Sequence, residues 1–122
     1  TRLQGDWSSD VCSSDLFEKV DLVEVRAVQP GLRLDVRYAT SNNFVGRPVY
    51  ARPMAFLQRP AAMALGRAHD RLARHGYGIV VFDAYRPWSV TRLFWEWVSP
   101  SQREYVADPA KGSRHNRGCA VD

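Results

Sequence analysis

The chain has 122 residues, which is enough for one ordinary domain and hardly for two. Hydrophobic residues make up 45% and charged residues 25% of it, close to the globular average, which argues against a wholly disordered or collagen-like chain. The formal net charge of +4 permits acidic partners but says nothing about the fold. No apolar run approaches the roughly 18 residues of a membrane helix, so no membrane partner is expected.

The first sixteen residues, TRLQGDWSSDVCSSDL, are rich in Ser and Asp and follow neither a helical nor a strand period. A disordered leader is the ordinary interpretation. The stretch GDWSSDVCSSDL, however, resembles translated sequencing-adapter sequence, which predicts that 1–16 is a non-native leader and that 17–122 belongs to a single domain. No basic start followed by an apolar core is visible, so the sequence shows no signal peptide.

The first half of the domain predicts two strands and one helix. Residues 20–28 are rich in β-branched residues, and 32–38 alternate apolar with charged residues, so each segment predicts a strand. A loop follows over 41–53. Residues 60–75 predict a helix, with proline at its first position and a glycine directly after it. Three arginines share one face of this helix, which we interpret as a solvated face rather than a nucleic-acid site; they are Arg67, Arg71 and Arg74.

The second half alternates strand-like and helix-like segments. Residues 79–82 form an apolar run near glycine, which predicts a buried central strand, and 83–87 form a tight loop at its exit. Residues 88–98 predict a helix whose aromatic face packs into the core. The pattern at 99–102 resembles a capping box that opens a short helix. Residues 119–122 begin a further strand.

The last ten residues, SRHNRGCAVD, carry an imidazole and a carboxylate suited to metal binding. Zinc takes His nitrogen and Asp oxygen at about 2.0–2.2 Å. His115 and Asp122 could meet if the chain reverses at Gly118, because glycine accepts a positive φ without a Cβ penalty. The spacing alone leaves open whether the two side chains are ligands or unrelated.

A second stretch, DAYRP at 83–87, follows the predicted buried strand directly. Loops at strand ends often carry function on a rigid scaffold. Arg86 offers a permanently charged planar donor that could meet a developing oxyanion or a carboxylate. A structural arginine that pairs with Asp83 or caps carbonyl groups is the alternative, and the residues alone leave both open.

Three motifs together resemble one known family. The pattern S-x-H-x-x-G-x-A-x-D at 113–122, DAYRP upstream of it and YATSNNFVGRPVY at 38–50 resemble the zinc D-alanyl-D-alanine dipeptidases of the vancomycin-resistance type. The resemblance runs from about residue 20 to residue 122. It implies an α+β domain with an antiparallel sheet and flanking helices, the fold shared by D-Ala-D-Ala peptidases and the hedgehog signalling domain.

Carried over by position, the resemblance implies that His115 and Asp122 are ligands of one zinc ion. It implies that Arg86 stabilises the transition state. Three further residues match family positions near the substrate: Ser113, Tyr38 and Tyr50.

The family completes its site with a later Glu-x-x-His motif, whose Glu is the general base. The other histidines here, His69 and His75, lie on the predicted helix, and Glu96 and Glu104 match no base position. The expectation is therefore the N-terminal part of a dipeptidase domain, with the C-terminal part missing and with little or no turnover.

The resemblance implies hydrolysis of the D-alanyl-D-alanine dipeptide, a peptidoglycan precursor, with zinc as cofactor and no nucleic-acid partner. A related zinc D,D-carboxypeptidase or endopeptidase on cell-wall peptides, and a non-catalytic binding module of the same fold, are the alternatives. The oligomeric state stays open, and so does the compartment, bacterial cytoplasm or periplasm.

Overall fold

Four short strands form two pairs in the computed structural model, which describes residues 19–122; the predicted leader lies outside this range. Strand β1 (Leu22–Glu24) pairs antiparallel with β3 (Phe56–Gln58), with Val23 opposite Leu57. Strand β2 (Arg33–Leu34) pairs parallel with β4 (Val80–Val81). The predicted α+β class with a short antiparallel sheet is confirmed, and the parallel pair is an addition to it.

Helical elements surround these strands. They are α1 (Val25–Val28), α2 (Arg59–Ala73), α3 (Trp88–Trp97) and three 3₁₀ turns at Arg37–Ala39, Pro100–Tyr105 and His115–Arg117. Helix α2 begins with proline in its first turn, as predicted, because the missing N–H has no helical partner there. Across residues 19–122, no helix combines the length and the apolar character needed to cross a bilayer.

The apolar side chains form two clusters. The first lies between the strands and α2, and its buried members are Val25, Leu32, Ala55, Leu57, Ala62, Val81 and Ala84. The second joins α3 to the loop before β3. In it Val45, Val90 and Phe94 are buried, with the rings of Tyr38 and Tyr50 packed against them. The 83–87 loop follows β4 and contacts both clusters: Ala84 belongs to the first, and the guanidinium of Arg86 lies over the ring of Phe94 in the second.

Two strands predicted in the first half of the domain are shorter in the structure. Only Leu22–Glu24 of 20–28 is a strand, and the chain then turns into α1. Only Arg33–Leu34 of 32–38 is a strand, because the parallel hydrogen bonds to β4 end at Asp35 N–H, which donates to Val81 O at 2.9 Å. The alternation of apolar and charged residues over 32–38 therefore predicted a longer strand than the two residues that pair.

The prediction of a fully buried central strand at 79–82 is wrong. Val81 is fully buried, but Val80 is 42% exposed and Phe82 is 43% exposed. Successive side chains of a strand point to opposite faces, so Val81 faces the core while Val80 and Phe82 face outward. Within the described range, β4 pairs only with β2, so it is not a central strand.

The predicted helix at 88–98 is confirmed as α3. The short helix after Ser99 is a 3₁₀ turn, and it starts without a side-chain cap. The predicted capping box is therefore wrong: the hydroxyl of Ser99 lies 3.1 Å from that of Ser101.

Candidate metal centre

The exit of β4 and residue 122 lie side by side. Phe82 N–H donates to the carbonyl of Asp122 at 2.7 Å, and Asp122 N–H donates to the carbonyl of Asp83 at 2.8 Å. Residues 119–122 are not assigned as a strand, yet this exchange holds the main chain of Asp122 against the start of the 83–87 loop. The motifs at 83–87 and 113–122, which are separated by 25 residues in sequence, are thereby brought together.

The chain reverses at Gly118, as the sequence allowed, and this glycine has φ +73°. A Cβ at this position would lie 2.6 Å from Leu22 Cδ2 and 3.3 Å from Gln58 N, so glycine is required by space as well as by backbone conformation. The carbonyl of Gly118 accepts a 2.8 Å hydrogen bond from Gln58 N–H. The turn that carries His115 is thus docked on β3.

His115 and Asp122 face each other across this reversal. The distance from His115 Nε2 to Asp122 Oδ2 is 3.5 Å. The other ring nitrogen, Nδ1, lies 2.8 Å from the carbonyl oxygen of Ala84. Because a carbonyl only accepts, Nδ1 carries the hydrogen in the neutral ring, and the lone pair of Nε2 points towards Asp122. Histidine ligands in metal sites are commonly oriented by such a bond.

The spacing of these two atoms suits zinc. Two donors that each bind zinc at about 2.0–2.1 Å in tetrahedral geometry lie about 3.3–3.4 Å apart. The observed 3.5 Å therefore needs almost no movement. Among the described residues, one group could hold a metal ion: Asp83, His115 and Asp122 each offer an atom within 4.8 Å of the others.

Asp83 uses its oxygens to hold Arg86 rather than to offer a ligand atom. Oδ2 accepts from Arg86 Nη2 at 2.6 Å and from Nε at 3.0 Å. Oδ1 accepts from the hydroxyl of Tyr50 at 2.7 Å and from Ala84 N–H at 2.9 Å. The carboxylate is 1% exposed. A carboxylate has about four lone-pair directions, and all are engaged here.

Arg86 also lies close to Asp122. Its Nη2 atom lies 4.0 Å from Asp122 Oδ2. Its guanidinium carbon lies 5.1 Å from the ring centre of Phe94 and 5.7 Å from that of Tyr38. The predicted structural pairing with Asp83 is therefore observed, and it leaves the guanidinium beside Asp122. The transition-state role of Arg86 stays a prediction.

The surroundings of Arg86, Tyr50 and Tyr38 raise the pKa of each of these three side chains. Burial lowers the pKa of Arg86, but the charge and hydrogen bonds of Asp83 outweigh it and raise that pKa overall. Burial, and then the charge of Asp83, raises the pKa of Tyr50 far above its ordinary value. Its hydroxyl therefore stays a donor. Burial also raises the pKa of Tyr38.

The remaining predicted substrate residues lie close by in sequence or space. Tyr38 packs against Phe94 with ring centres 4.9 Å apart and against Tyr50 at 5.8 Å. Ser113 precedes the turn of His115, and its hydroxyl accepts from Asn116 N–H at 3.3 Å. The roles of these residues in substrate binding stay predictions.

A cavity of about 380 Å³ opens beside Asp122. Tyr38, Phe44 and Phe82 give it apolar walls, and Arg37 and Asn42 add polar groups. The cavity thus adjoins Asp122, one of the two residues that the resemblance predicts to be metal ligands.

The sequence analysis gave one contributor to the site only part of its role and missed another. Asp83 was weighed only as a partner of Arg86, although its i, i+3 spacing to that arginine was visible. Asn116 was not considered at all, since an amide within a loop has no pattern of its own. Glu96 is bound to Arg92 at 2.9 Å on α3, as its poor match to a base position suggested.

The D-ala-D-ala dipeptidase family model matches residues 18–121 of this sequence. The chain belongs to that family. The resemblance predicted from the three motifs is thereby confirmed, and it places the chain among the peptidases.

Three relatives of the family are each named D-alanyl-D-alanine dipeptidase. The Escherichia coli protein is 30% identical over 107 residues, covering 88% of this chain and 54% of the relative. The Streptomyces coelicolor protein is 31% identical over 123 positions, covering 84% and 59%. The Enterococcus faecalis protein is 30% identical over 110, covering 75% and 54%. The chain thus spans somewhat more than half the length of these relatives.

Proposed function

We propose that this chain contributes the greater part of a zinc-dependent active site that hydrolyses the D-alanyl-D-alanine dipeptide. The observation that supports this most directly is the approach of His115 Nε2 to Asp122 Oδ2 at 3.5 Å, with Arg86 Nη2 4.0 Å from the same oxygen. Zinc bound there would polarise the scissile carbonyl and lower the pKa of a bound water towards about 7. The relatives that carry this activity in their names support the choice of substrate.

The protein's own groups supply orientation and charge. The carbonyl of Ala84 fixes the tautomer of His115, so that Nε2 is available to the metal. Asp83 fixes the guanidinium of Arg86, and Arg86 then stabilises the negative charge that develops on the substrate carbonyl oxygen. Removing one such preorganised donor typically costs about 2.7–4 kcal/mol of transition-state stabilisation.

The described residues supply two ligands and no suitable base. Asp83, the third member of the cluster, has its lone pairs engaged, and Glu96 is bound to Arg92. We therefore propose that this 122-residue chain alone turns the dipeptide over slowly or not at all. A positioned general base usually contributes about 10²–10⁴-fold to the rate.

We propose a free dipeptide rather than a long peptide strand as the substrate. The 38–50 stretch, which resembles the dipeptidase branch, supplies Tyr38 and Phe44 to the lining of the cavity beside Asp122. The resemblance of this stretch supports a small substrate with free ends.

Zinc binding to purified protein tests the metal site. Titration calorimetry should detect weak binding of about one zinc ion in the wild type and none in His115→Ala or Asp122→Ala. His75→Ala is the matched control, because His75 is exposed beyond the end of α2. Tight stoichiometric zinc would contradict the two-ligand description, and unchanged binding in His115→Ala would reject the site.

The substrate is tested separately. Release of free alanine of either configuration should be compared for D-alanyl-D-alanine, for its L,L isomer and for a longer peptide that ends in D-alanyl-D-alanine. Any turnover should be restricted to the D,D dipeptide. Preferential cleavage of the longer peptide would instead indicate a carboxypeptidase.

A further inference from the structure

One amide side chain connects three elements around the candidate site. Asn116 Nδ2 donates to the carbonyl of Arg86 at 2.9 Å and to Thr91 Oγ1 at 2.8 Å. Its Oδ1 accepts from Ser113 N–H at 2.9 Å. The side chain therefore joins the turn that carries His115 to the 83–87 loop and to helix α3.

The orientation of this amide follows from its partners. The carbonyl of Arg86 can only accept, and Ser113 N–H can only donate, so Nδ2 must face the first and Oδ1 the second. Thr91 is fully buried on α3, so water cannot take the place of the Asn116 amide as hydrogen-bond donor to its hydroxyl. Both Nδ2 hydrogens and the carbonyl oxygen of Asn116 are thus engaged within the protein.

Asn116 completes a reciprocal pairing between the two motif segments. Arg86 N–H donates to the carbonyl of His115 at 2.9 Å, while the His115 ring donates to the carbonyl of Ala84 at 2.8 Å. Asn116 then binds the carbonyl of Arg86. Both main-chain polar groups of Arg86 are therefore held by the consecutive residues His115 and Asn116, which leaves little freedom between the guanidinium and the imidazole.

We infer that Asn116 is a positioning residue: through Arg86 and Thr91 it fixes the His115 imidazole and the Arg86 guanidinium relative to each other. The catalytic importance of the His115 imidazole and the Arg86 guanidinium rests on the proposed function; their positioning by Asn116 does not. The position lies at one of the unspecified sites of the S-x-H-x-x-G-x-A-x-D pattern, so the pattern itself assigns it no role. Positioning partners of metal ligands typically change metal affinity by about 10–100-fold when removed.

The test uses three variants of the same chain. Asn116→Asp keeps the shape and the acceptor for Ser113 N–H but removes both donors. Asn116→Ala removes the whole amide without adding charge, and Thr91→Val removes one partner. Gln29→Glu is the control: the amide of Gln29 bridges Asp70 and Gly31, away from the site, so its loss should lower stability alone.

Two measurements separate positioning from simple stability. The first is the nitrogen NMR spectrum of the His115 ring in metal-free protein, which reports whether Nδ1 still carries the hydrogen. The second is the zinc dissociation constant. We expect the ring signals to shift and the constant to rise about tenfold or more in both Asn116 variants. Thr91→Val should give a smaller change in the same direction, and Gln29→Glu none.

Three outcomes would overturn the inference. Ring signals unchanged in both Asn116 variants would leave the amide with a structural role only. A shift in Asn116→Asp without one in Asn116→Ala would assign the effect to the added charge. Equal effects in Gln29→Glu would assign them to global stability. If zinc binding is absent from the wild type, the proposed function fails, while the metal-free spectrum still decides the role of Asn116.

Discussion

Asp83 holds Arg86 at 2.6 Å, Oδ2 to Nη2, so that the same Nη2 atom comes within 4.0 Å of Asp122. One guanidinium therefore lies between two carboxylates of different exposure. The Asp83 side chain is 2% exposed and that of Asp122 is 58% exposed. Because Asp83 balances the charge of Arg86, the carboxylate of Asp122 remains available to attract a cation beside His115.

Asp83→Asn should strongly destabilise the fold. The substitution leaves the largely buried guanidinium of Arg86 without its counter-charge, and breaking a buried pair from one side typically costs about 3–5 kcal/mol. The free energy of unfolding by urea measures this. Asp35→Asn is the control, because its ion pair with Arg37 is about half exposed and should be worth under about 1 kcal/mol. Similar losses in the two variants would contradict the central role of Asp83.

Tyr50→Phe should alter the alkaline stability of the protein. Burial and the charge of Asp83 raise the pKa of Tyr50, so the folded state holds its proton after the unfolded chain has released it. Stability from this group is therefore complete below about pH 10 and declines as the pH rises above that value. Unfolding free energies measured on both sides of pH 10 should fall more steeply in the wild type than in Tyr50→Phe. Parallel slopes would mean that Asp83 does not hold this proton.

The sequence motifs singled out His115, Asp122 and Arg86, which the structure places close together, whereas the strand lengths were predicted less well. The sequence allowed a reversal at Gly118, and the structure has a positive φ at that glycine. Strand lengths were overestimated because alternation records which face is apolar, whereas a strand also needs a hydrogen-bonded partner. The engaged oxygens of Asp83 and the bridge through Asn116 join distant segments, and single-sequence patterns carry no signal for such contacts.

Gly118→Ala should cost more stability than Gly46→Ala. Both glycines have a positive φ, +73° and +80°, so each substitution incurs about 1–2 kcal/mol of backbone strain. Only at Gly118 would the new Cβ also meet neighbours, with Leu22 Cδ2 at 2.6 Å, whereas nothing lies within 4 Å at Gly46. Overpacking adds about 1–3 kcal/mol. Chemical denaturation of the two variants gives the difference directly, and equal losses would show that Leu22 moves aside freely.

Zinc should stabilise the folded chain, by an amount that depends on the affinity of His115 and Asp122 for the ion. A ligand that binds only the folded state at 100 times its dissociation constant adds about 2.7 kcal/mol to the free energy of unfolding. Melting temperature measured across a zinc titration should therefore rise steadily in the wild type and in the control His75→Ala. In His115→Ala the rise in melting temperature should vanish. Without the pair, zinc meets only isolated side chains in the folded and the unfolded chain alike, so it does not favour the folded state. If zinc still raises the melting temperature of His115→Ala, the metal binds elsewhere. Arg86 would then not lie beside the metal, and its pairing with Asp83 would be a structural ion pair only.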